Sequence, residues 1–404
     1  MHLLEKPMDI AFPDDRVGWP LAPVVSWLFA EGRKIGHAKS FFDALCRRLL
    51  DAGAPNWRVR VNYEVINPQV VASSLTWYRG RDGVTEFNAP HEMRLSADYF
   101  GSPVQELHST GRLVRYRLDA LEARNHAILH GLAGEGGIDY AAIPLTFSSG
   151  IVNAFIVATD RADGFSDADI AKLCTLASFL TPIFEVMAMN QVLKSVLDTY
   201  VGPRTAAKVL KGLIKRGDGE TIRAALWFSD LRDFTQLTES LPPQRLLAML
   251  NSYFEHVAAA VTPRGGEILR FIGDAMLIVF PVGADSDTKA ACAAAADAAA
   301  DAFARLANIN RQRRAAAEPE IRFGLGLHVG EVIYGNVGAP NRLDFTVMGP
   351  AVNRTARLAD LTKAAGYPLL MSAEFAAHLD RPLRSLGRYK LRGVAEAQEV
   401  FVLA

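Results

Sequence analysis

FSDLRDFT (228–235), followed by GGEILRFIGDAMLIVF (265–280), is the stretch on which the reading of this chain turns. The run IRAALWFSDL (222–231) has the apolar, β-branched and aromatic content of a strand, so Asp230 leaves a strand end. EILRFI (267–272) and AMLIVF (275–280) flank Gly273 and Asp274 as the two arms of a hairpin, which puts Asp274 at the turn. Carboxylates carried to one place by two strand ends are hard oxygen ligands of the kind Mg²⁺ or Mn²⁺ takes, since magnesium keeps several waters and needs only one or two protein carboxylates plus substrate phosphates. Taken without context the pair says little, because an Asp at a turn is more often a cap or an Asx turn.

Outward from that core, strands alternate with helices. SLPPQRLLAMLNSYFEHVAAAV (240–261) reads as a helix, and residues 289–307 as an alanine-rich one. IRFGLGLHV (321–329) and EVIYGNV (331–337) read as a second strand pair, DFTVMG (344–349) as a further short strand, and AVNRTARLADLTKAA (351–365) as a helix. One sheet with covering helices follows, an α/β or α+β sandwich. Gly324, Gly326 and Gly330 loosely imitate a dinucleotide-binding loop, but the spacing is GxGxxxG inside a strand, so close packing is the better reading.

Five blocks in this half, FSDLRDFT, GGEILRFIGDAMLIVF, FGLGLHVGEVIYGNVG (323–338), LDFTVMGPAVNRTARL (343–358) and YKLRGVAEAQEVFVL (389–403), resemble the class III nucleotidyl cyclases in content, order and spacing. The resemblance covers nearly all of residues 222–404. It implies a ferredoxin-like domain with a mixed, mainly antiparallel sheet, and an adenylate cyclase that closes ATP into 3′,5′-cyclic AMP with release of pyrophosphate. Asp230 and Asp274 match the family's metal-binding aspartates, and the carbonyl of Leu231 falls where the family supplies a backbone ligand; two Mg²⁺ or Mn²⁺ ions per site are implied. Asn353 and Arg357 match the ribose-orienting Asn and the transition-state Arg. They stand four apart on the expected helix, hence on one face. Without the flanking blocks, an Asn near a helix start would be read as a cap and the Arg as part of a solvated face.

Departures from the family pattern fall at the nucleotide. Arg270 replaces the usual Lys four residues before Asp274, which keeps the charge but substitutes a planar fork for a flexible ammonium. Thr346 falls where one subgroup carries Asp and another Thr, and its hydroxyl can accept from the adenine 6-amino group. Arg392 in YKLRGV replaces a phosphate-binding Lys, and the backbone amides of Phe234 and Thr235 would face the triphosphate. Asp233 occupies a position where many relatives have Gly: either it repels the triphosphate or, with Gln236, it forms a helix capping pair. A guanylate cyclase remains an alternative, since Arg pairs readily with guanine O6 and N7, and so does a degenerate cyclase fold that binds without turnover. In the family the metal aspartates come from one subunit, and the base-reading pair, Asn and Arg from its partner. A single chain carrying both sets is therefore expected to act as a homodimer with composite sites.

The first half has a different pattern. SFFDALCRRLLDAG (40–53) reads as a helix, WRVRVNYEVI (57–66) and SLTWYRG (74–80) as strands, and IDYAAIPLTFSSGIVNAFIVATD (138–160) as a hairpin turning at residues 148–150. FSDADIAKLCTLASFLTPIFEVM (165–187) then reads as a helix with Ser166 as N-cap. This order resembles a GAF sensor domain over residues 24–189, taking an unidentified small-molecule or protein signal. Ile183, Val186, Asn190, Leu193, Leu197 and Tyr200 then step by three and four, as a coiled-coil seam does; a single long surface helix reads equally well. Residues 190–220 form a linker and the catalytic domain is expected over 221–404.

Composition bounds the rest. The 404 residues hold 44 basic and 44 acidic side chains, a balance that gives no electrostatic reason for nucleic acid or an anionic membrane as partner. Cys46, Cys174 and Cys292 lack CxxC spacing, which argues against a disulfide framework or a zinc site. The N-terminal residues have no leader pattern and no window reaches 18 uninterrupted apolar residues, so a cytoplasmic location without a membrane anchor is expected.

Overall fold

The computed structural model describes residues 13–64, 70–283, 287–394 and 396–404. The chain divides into two compact units, Met1–Val196 and Leu197–Ala404.

In the first unit, α1 (Ala22–Ala30) and α2 (Ala38–Asp51) precede β1 (Arg58–Glu64), β2 (Ala72–Tyr78) and β3 (Val84–Ala89). Next come α3 (Pro103–Thr110), β4 (Val114–Arg117), α4 (Ala127–Gly134), β5 (Asp139–Thr146), β6 (Val152–Thr159) and the start of α5 (Asp167–Val201). The strands form one antiparallel sheet in the order β3-β2-β1-β6-β5-β4. Period-two alternation sorts the side chains to its faces: Val59, Val61, Leu75 and Phe155 join α1, α2 and α5 in one core, while Tyr140, Ala142 and Ile156 meet α3 and α4 on the other. Trp77 is in the first core and Trp57 is partly buried beside the second. Ser166 and Asp169 bond each other's backbone amides at 3.2 and 2.9 Å, a reciprocal cap that starts α5.

By length and composition α5 could cross a bilayer, but Leu173, Leu176, Leu180 and Phe184 fill the first core. On its later turns Val186, Asn190, Leu193 and Tyr200 are exposed, and Ile183 and Leu197 partly covered. Gly202, at φ 84°, ends the helix before α6 (Pro203–Leu210).

The second unit carries β7 (Gly219–Leu231), α7 (Phe234–Ser240), α8 (Pro243–Val261), β8 (Glu267–Ile272), β9 (Ala275–Pro281) and α9 (Thr288–Ala315). β10 (Phe323–Ala339), β11 (Arg342–Met348), α10 (Pro350–Ala365), β12 (Leu369–Ser372), α11 (Ala373–Ala376), β13 (Leu383–Tyr389) and β14 (Gln398–Leu403) complete it. The sheet runs β13-β14-β12-β10-β7-β9-β8, with β11 on β10; among the described residues only the β10/β12 pairing is parallel. A mixed, mainly antiparallel sheet covered by helices is thus the observed class.

One expectation is corrected here: residues 321–337 are not a strand pair but one strand, β10, which runs through Gly330 and turns only after Ala339 to meet β11. The glycines serve helix packing. A Cβ at Gly326 would lie 2.6 Å from the Ala359 amide nitrogen and closer still to the Thr355 carbonyl oxygen, and one at Gly330 would lie 2.9 Å from the Ala351 Cβ. Bare backbone at these positions seats α10 against the sheet.

Candidate active site

β7 and β9 pair antiparallel to Ser229↔Met276, so Asp230 and Asp274 follow at the shared end of two adjacent central strands. The β8–β9 turn is the two-residue loop Gly273–Asp274, closed by Ile272↔Ala275, with Gly273 at the φ of 65° such a turn requires. The two carboxyls lie close enough for each to act on the other. Burial pushes Asp230 up to about 7; the neighbouring Asp274 carboxyl and the charge of Asp360 add to this, and Arg232 opposes it. Two acids so placed resist ionising together, and a cation between them would relieve that repulsion.

The floor beneath them is fixed by buried polar groups. Tyr253 Oη donates to Ser229 Oγ at 2.8 Å and Trp227 Nε1 donates to the same oxygen at 3.0 Å; all three side chains are fully buried. Ser229, Tyr253 and Trp227 carry no functional signal in the sequence, because their role depends on α8 packing under β7. Leu231 ends β7, buried and paired with Phe323. Among the described residues no group of three or more His, Cys, Asp or Glu side chains could hold a metal. Two carboxyls at one sheet end are hard oxygen donors, a set that could hold Mg²⁺ or Mn²⁺ completed by substrate oxygens but not a closed structural site.

The other residues singled out in the sequence lie elsewhere in the unit. Arg270 on β8 donates to Asp344 on β11, a partner the sequence reading did not foresee. Thr346, two residues further along β11, is buried opposite Gly335. Asn353 and Arg357 occupy successive turns of α10, away from the face carrying Ala351, Thr355 and Leu358; Asn353 is exposed and Arg357 donates to Asp360 at 2.9 Å. No hydrogen bond or ion pair among the described residues joins Arg270, Thr346, Asn353 or Arg357 to Asp230 or Asp274. Arg392 is exposed in the turn after Leu391, likewise without a bonded partner among the described residues.

Asp233 corrects a second expectation. It precedes α7 but makes no capping bond; its backbone is left-handed at φ 59°, and its carboxylate lies 3.3 Å from both Arg322 Nη2 and Lys363 Nζ. Asp tolerates this conformation and Gly prefers it, which is the physical reason the position suits either residue. Phe234 and Thr235 open α7 directly after it.

Residues 219–404 match the family described as the Adenylate and Guanylate cyclase catalytic domain, and this segment is such a domain. Adenylate cyclase 1 of Rhizobium meliloti is 29% identical over 303 residues, 70% of this chain and 44% of that protein. The adenylate cyclase of Anabaena cylindrica is 31% identical over 255 residues, 60% of this chain and 49% of its own length. The chain thus spans about half the length, or less, of these curated relatives. Among solved structures, a bacterial light-regulated adenylyl cyclase matches at 31% identity with a TM-score of 0.41, over 46% of this chain and 91% of that one. The guanylyl cyclase Cya2 matches at 26% identity, also with a TM-score of 0.41, over 46% and 93%.

Proposed function

We propose that the protein is an adenylate cyclase that converts ATP to 3′,5′-cyclic AMP and pyrophosphate, acting as a homodimer with the first unit as regulator. The observation that carries this is the meeting of Asp230 and Asp274 at one end of β7 and β9. The names of the Rhizobium and Anabaena relatives favour adenine over guanine.

Asp230, Asp274 and the Leu231 carbonyl would hold two divalent ions. The chemistry supplied by those ions is acidification of the ribose 3′-hydroxyl and neutralisation of the triphosphate. Asn353 orients the ribose so that the 3′-oxygen lies in line with the α-phosphate, and Arg357 donates to the charge that builds on the phosphoryl oxygens. The new bond joins O3′ to the α-phosphorus, the bond to the β-phosphate oxygen breaks, and the hydroxyl proton passes to solvent. Arg270 and Thr346 read the base, while Arg392 and the amides of Phe234 and Thr235 bind the phosphates. No side-chain nucleophile is needed.

Within one copy Arg270 and Arg357 are bonded to Asp344 and Asp360 and to neither metal-site carboxyl, which supports completion of each site by a second copy. The exposed Val186, Leu193 and Tyr200 of α5 support a paired helix as the transducing linker. A six-stranded antiparallel sheet with helices on both faces supports a GAF-like sensor.

The test is turnover by the purified full chain with Mn²⁺, ATP against GTP, beside Asp274→Ala. Cyclic AMP from the wild type only is the expected result. Preferential use of GTP would replace the reading with a guanylate cyclase, and activity retained in the variant would remove the metal assignment.

A further inference from the structure

The sheet face of the first unit that does not carry α1, α2 and α5 is incompletely filled. A cavity of about 540 Å³ lies over β1, β2, β5 and β6, bounded by the segment before α3 and the start of α4. Its size is that of a small-molecule site. Part of the wall is apolar, including Val71, Phe87, Ile128 and Ile156.

Two arginines line its floor. Arg58 and Arg60 are two residues apart on β1, so both side chains leave the same face. Arg58 is 6% exposed; its Nε donates to Tyr78 Oη at 3.0 Å and its guanidinium lies over the Tyr78 ring. Arg60 donates from Nε to Asn62 Oδ1 at 2.7 Å and from Nη2 to Ser74 Oγ at 3.0 Å. Every one of these partners is neutral. Both Nη groups of Arg58 and Nη1 of Arg60 are left without a bonded partner among the described residues.

The remaining charges on the wall do not compensate. Glu64 is taken by Arg94, which also lines the cavity, and Asp98 is exposed at the edge. His108 is bonded to Tyr99, and burial holds its pKa below the ordinary value, which favours the neutral ring; in neither form can it offset the arginines. Burial and the charge of Arg58 together bring Arg60 down to about 10. Two like charges facing one cavity are costly to bury, and a guanidinium pair with unused N–H donors is shaped for an oxyanion.

We propose that this cavity binds a small organic anion, a carboxylate or phosphate ester on an apolar or aromatic body, with Arg58 and Arg60 gripping the oxyanion together. The inference rests on the cavity alone and does not require turnover; where the sensor reading also holds, it gives the chemical class of the signal.

Calorimetric titration of the full chain with phenyl phosphate, phenylacetate and benzyl alcohol tests it and separates the two anion types. At least one anion should bind one to one and at least tenfold tighter than benzyl alcohol. Arg60→Met should lose at least tenfold of that affinity, with Arg60→Lys between the two. Inorganic phosphate should raise the unfolding midpoint of the wild type above that in chloride at equal ionic strength, and should do so less for Arg60→Lys, which keeps the charge if Arg60→Met fails to fold. Binding of neither anion, binding of benzyl alcohol as tight as theirs, or wild-type anion affinity in the Arg60 variants would overturn the proposal.

Discussion

Arg270 on β8 is ion-paired with Asp344 on β11, and Asp344 is two residues from Thr346 on the same strand. The pair ties the residue proposed to read the adenine ring to the strand carrying its proposed partner. A carboxylate that fixes the plane of a guanidinium also fixes which of its N–H groups point outward.

Loss of that restraint is the first prediction. In Asp344→Asn, KM for ATP should rise about three- to tenfold with kcat changed less, and the preference for ATP over GTP should fall, a loss of roughly 1 kcal/mol of discrimination. Both partners are more than a third exposed, so the thermal midpoint should barely move. An unchanged ratio of kcat/KM for the two nucleotides would show that Asp344 does not position Arg270.

Removing Asp274 should separate catalysis from stability. Asp230 is pushed up mainly by burial and then by Asp274, so Asp274→Ala relieves a like-charge contact while deleting a proposed ligand. Turnover should fall roughly a hundredfold or more. The unfolding midpoint without metal should not drop, and the rise in midpoint that Mn²⁺ gives the wild type should vanish. A variant still stabilised by Mn²⁺ to the wild-type extent would place the ion elsewhere.

The shared site is tested by mixing two dead variants. Asp230→Ala lacks a proposed metal ligand and Arg357→Ala the proposed phosphoryl donor, so on the shared-site proposal a mixed dimer keeps one intact site of two. Random pairing makes half the dimers mixed, and about a quarter of wild-type turnover should return. Subunit exchange, followed with differently tagged copies, must be shown in the same sample; exchange without recovery rules out completion of the site across a two-fold.

Much of this was legible in the sequence because local signals agreed. The turn at Gly273, the strand end at Asp230 and the i, i+4 spacing of Asn353 and Arg357 are short-range patterns, and the structure has Gly273 at a left-handed turn and the last two on one face of α10. What failed depended on contacts between distant elements. The close packing expected of Gly324, Gly326 and Gly330 is what the structure has, but the division of residues 321–337 into two strands is not: Gly330 stays within β10 so that α10 can approach. Asp233 has the spacing of a cap, but its left-handed backbone turns the side chain toward Arg322 and Lys363. Asp344 has no signature at all, since only the pairing of β11 with β10 brings it near β8.

The glycine argument has its own test. In Gly326→Ala the added methyl meets backbone atoms of Thr355 and Ala359, which cannot swing aside as a side chain would. The second unit should lose about 3 kcal/mol in denaturant unfolding, and α10, which carries Asn353 and Arg357, should be displaced enough to reduce turnover. Gly265→Ala, where a Cβ meets nothing within 4 Å but φ is 81°, should cost less, about 1 kcal/mol. Equal costs would mean that α10 yields to the added methyl and that close helix approach does not require a glycine at position 326.

Stability in mild acid should report on His328. The ring is 2% exposed and its Nδ1 lies 2.7 Å from Ser372 Oγ. Burial lowers its pKa from 6.5 to about 4; Glu374 pulls it upward, and Arg354 and Arg223 add to the depression. Below 6.5 the unfolded chain takes up a proton that the folded chain refuses, so stability present above that pH is lost as pH falls toward 4, by up to about 3 kcal/mol. Glu374, whose own pKa is lowered from 4.5, acts in the same direction only below that value. Urea unfolding followed between pH 7 and pH 5 keeps Glu374 out of the window; His108, also lowered by burial, adds to the slope there and the raised Asp230 opposes it, so the contribution of His328 is read as the difference in slope between the wild type and a variant. His328→Gln, which keeps a hydrogen-bonding group near Ser372, should flatten the slope there, and an unchanged slope would move the proton uptake to another group.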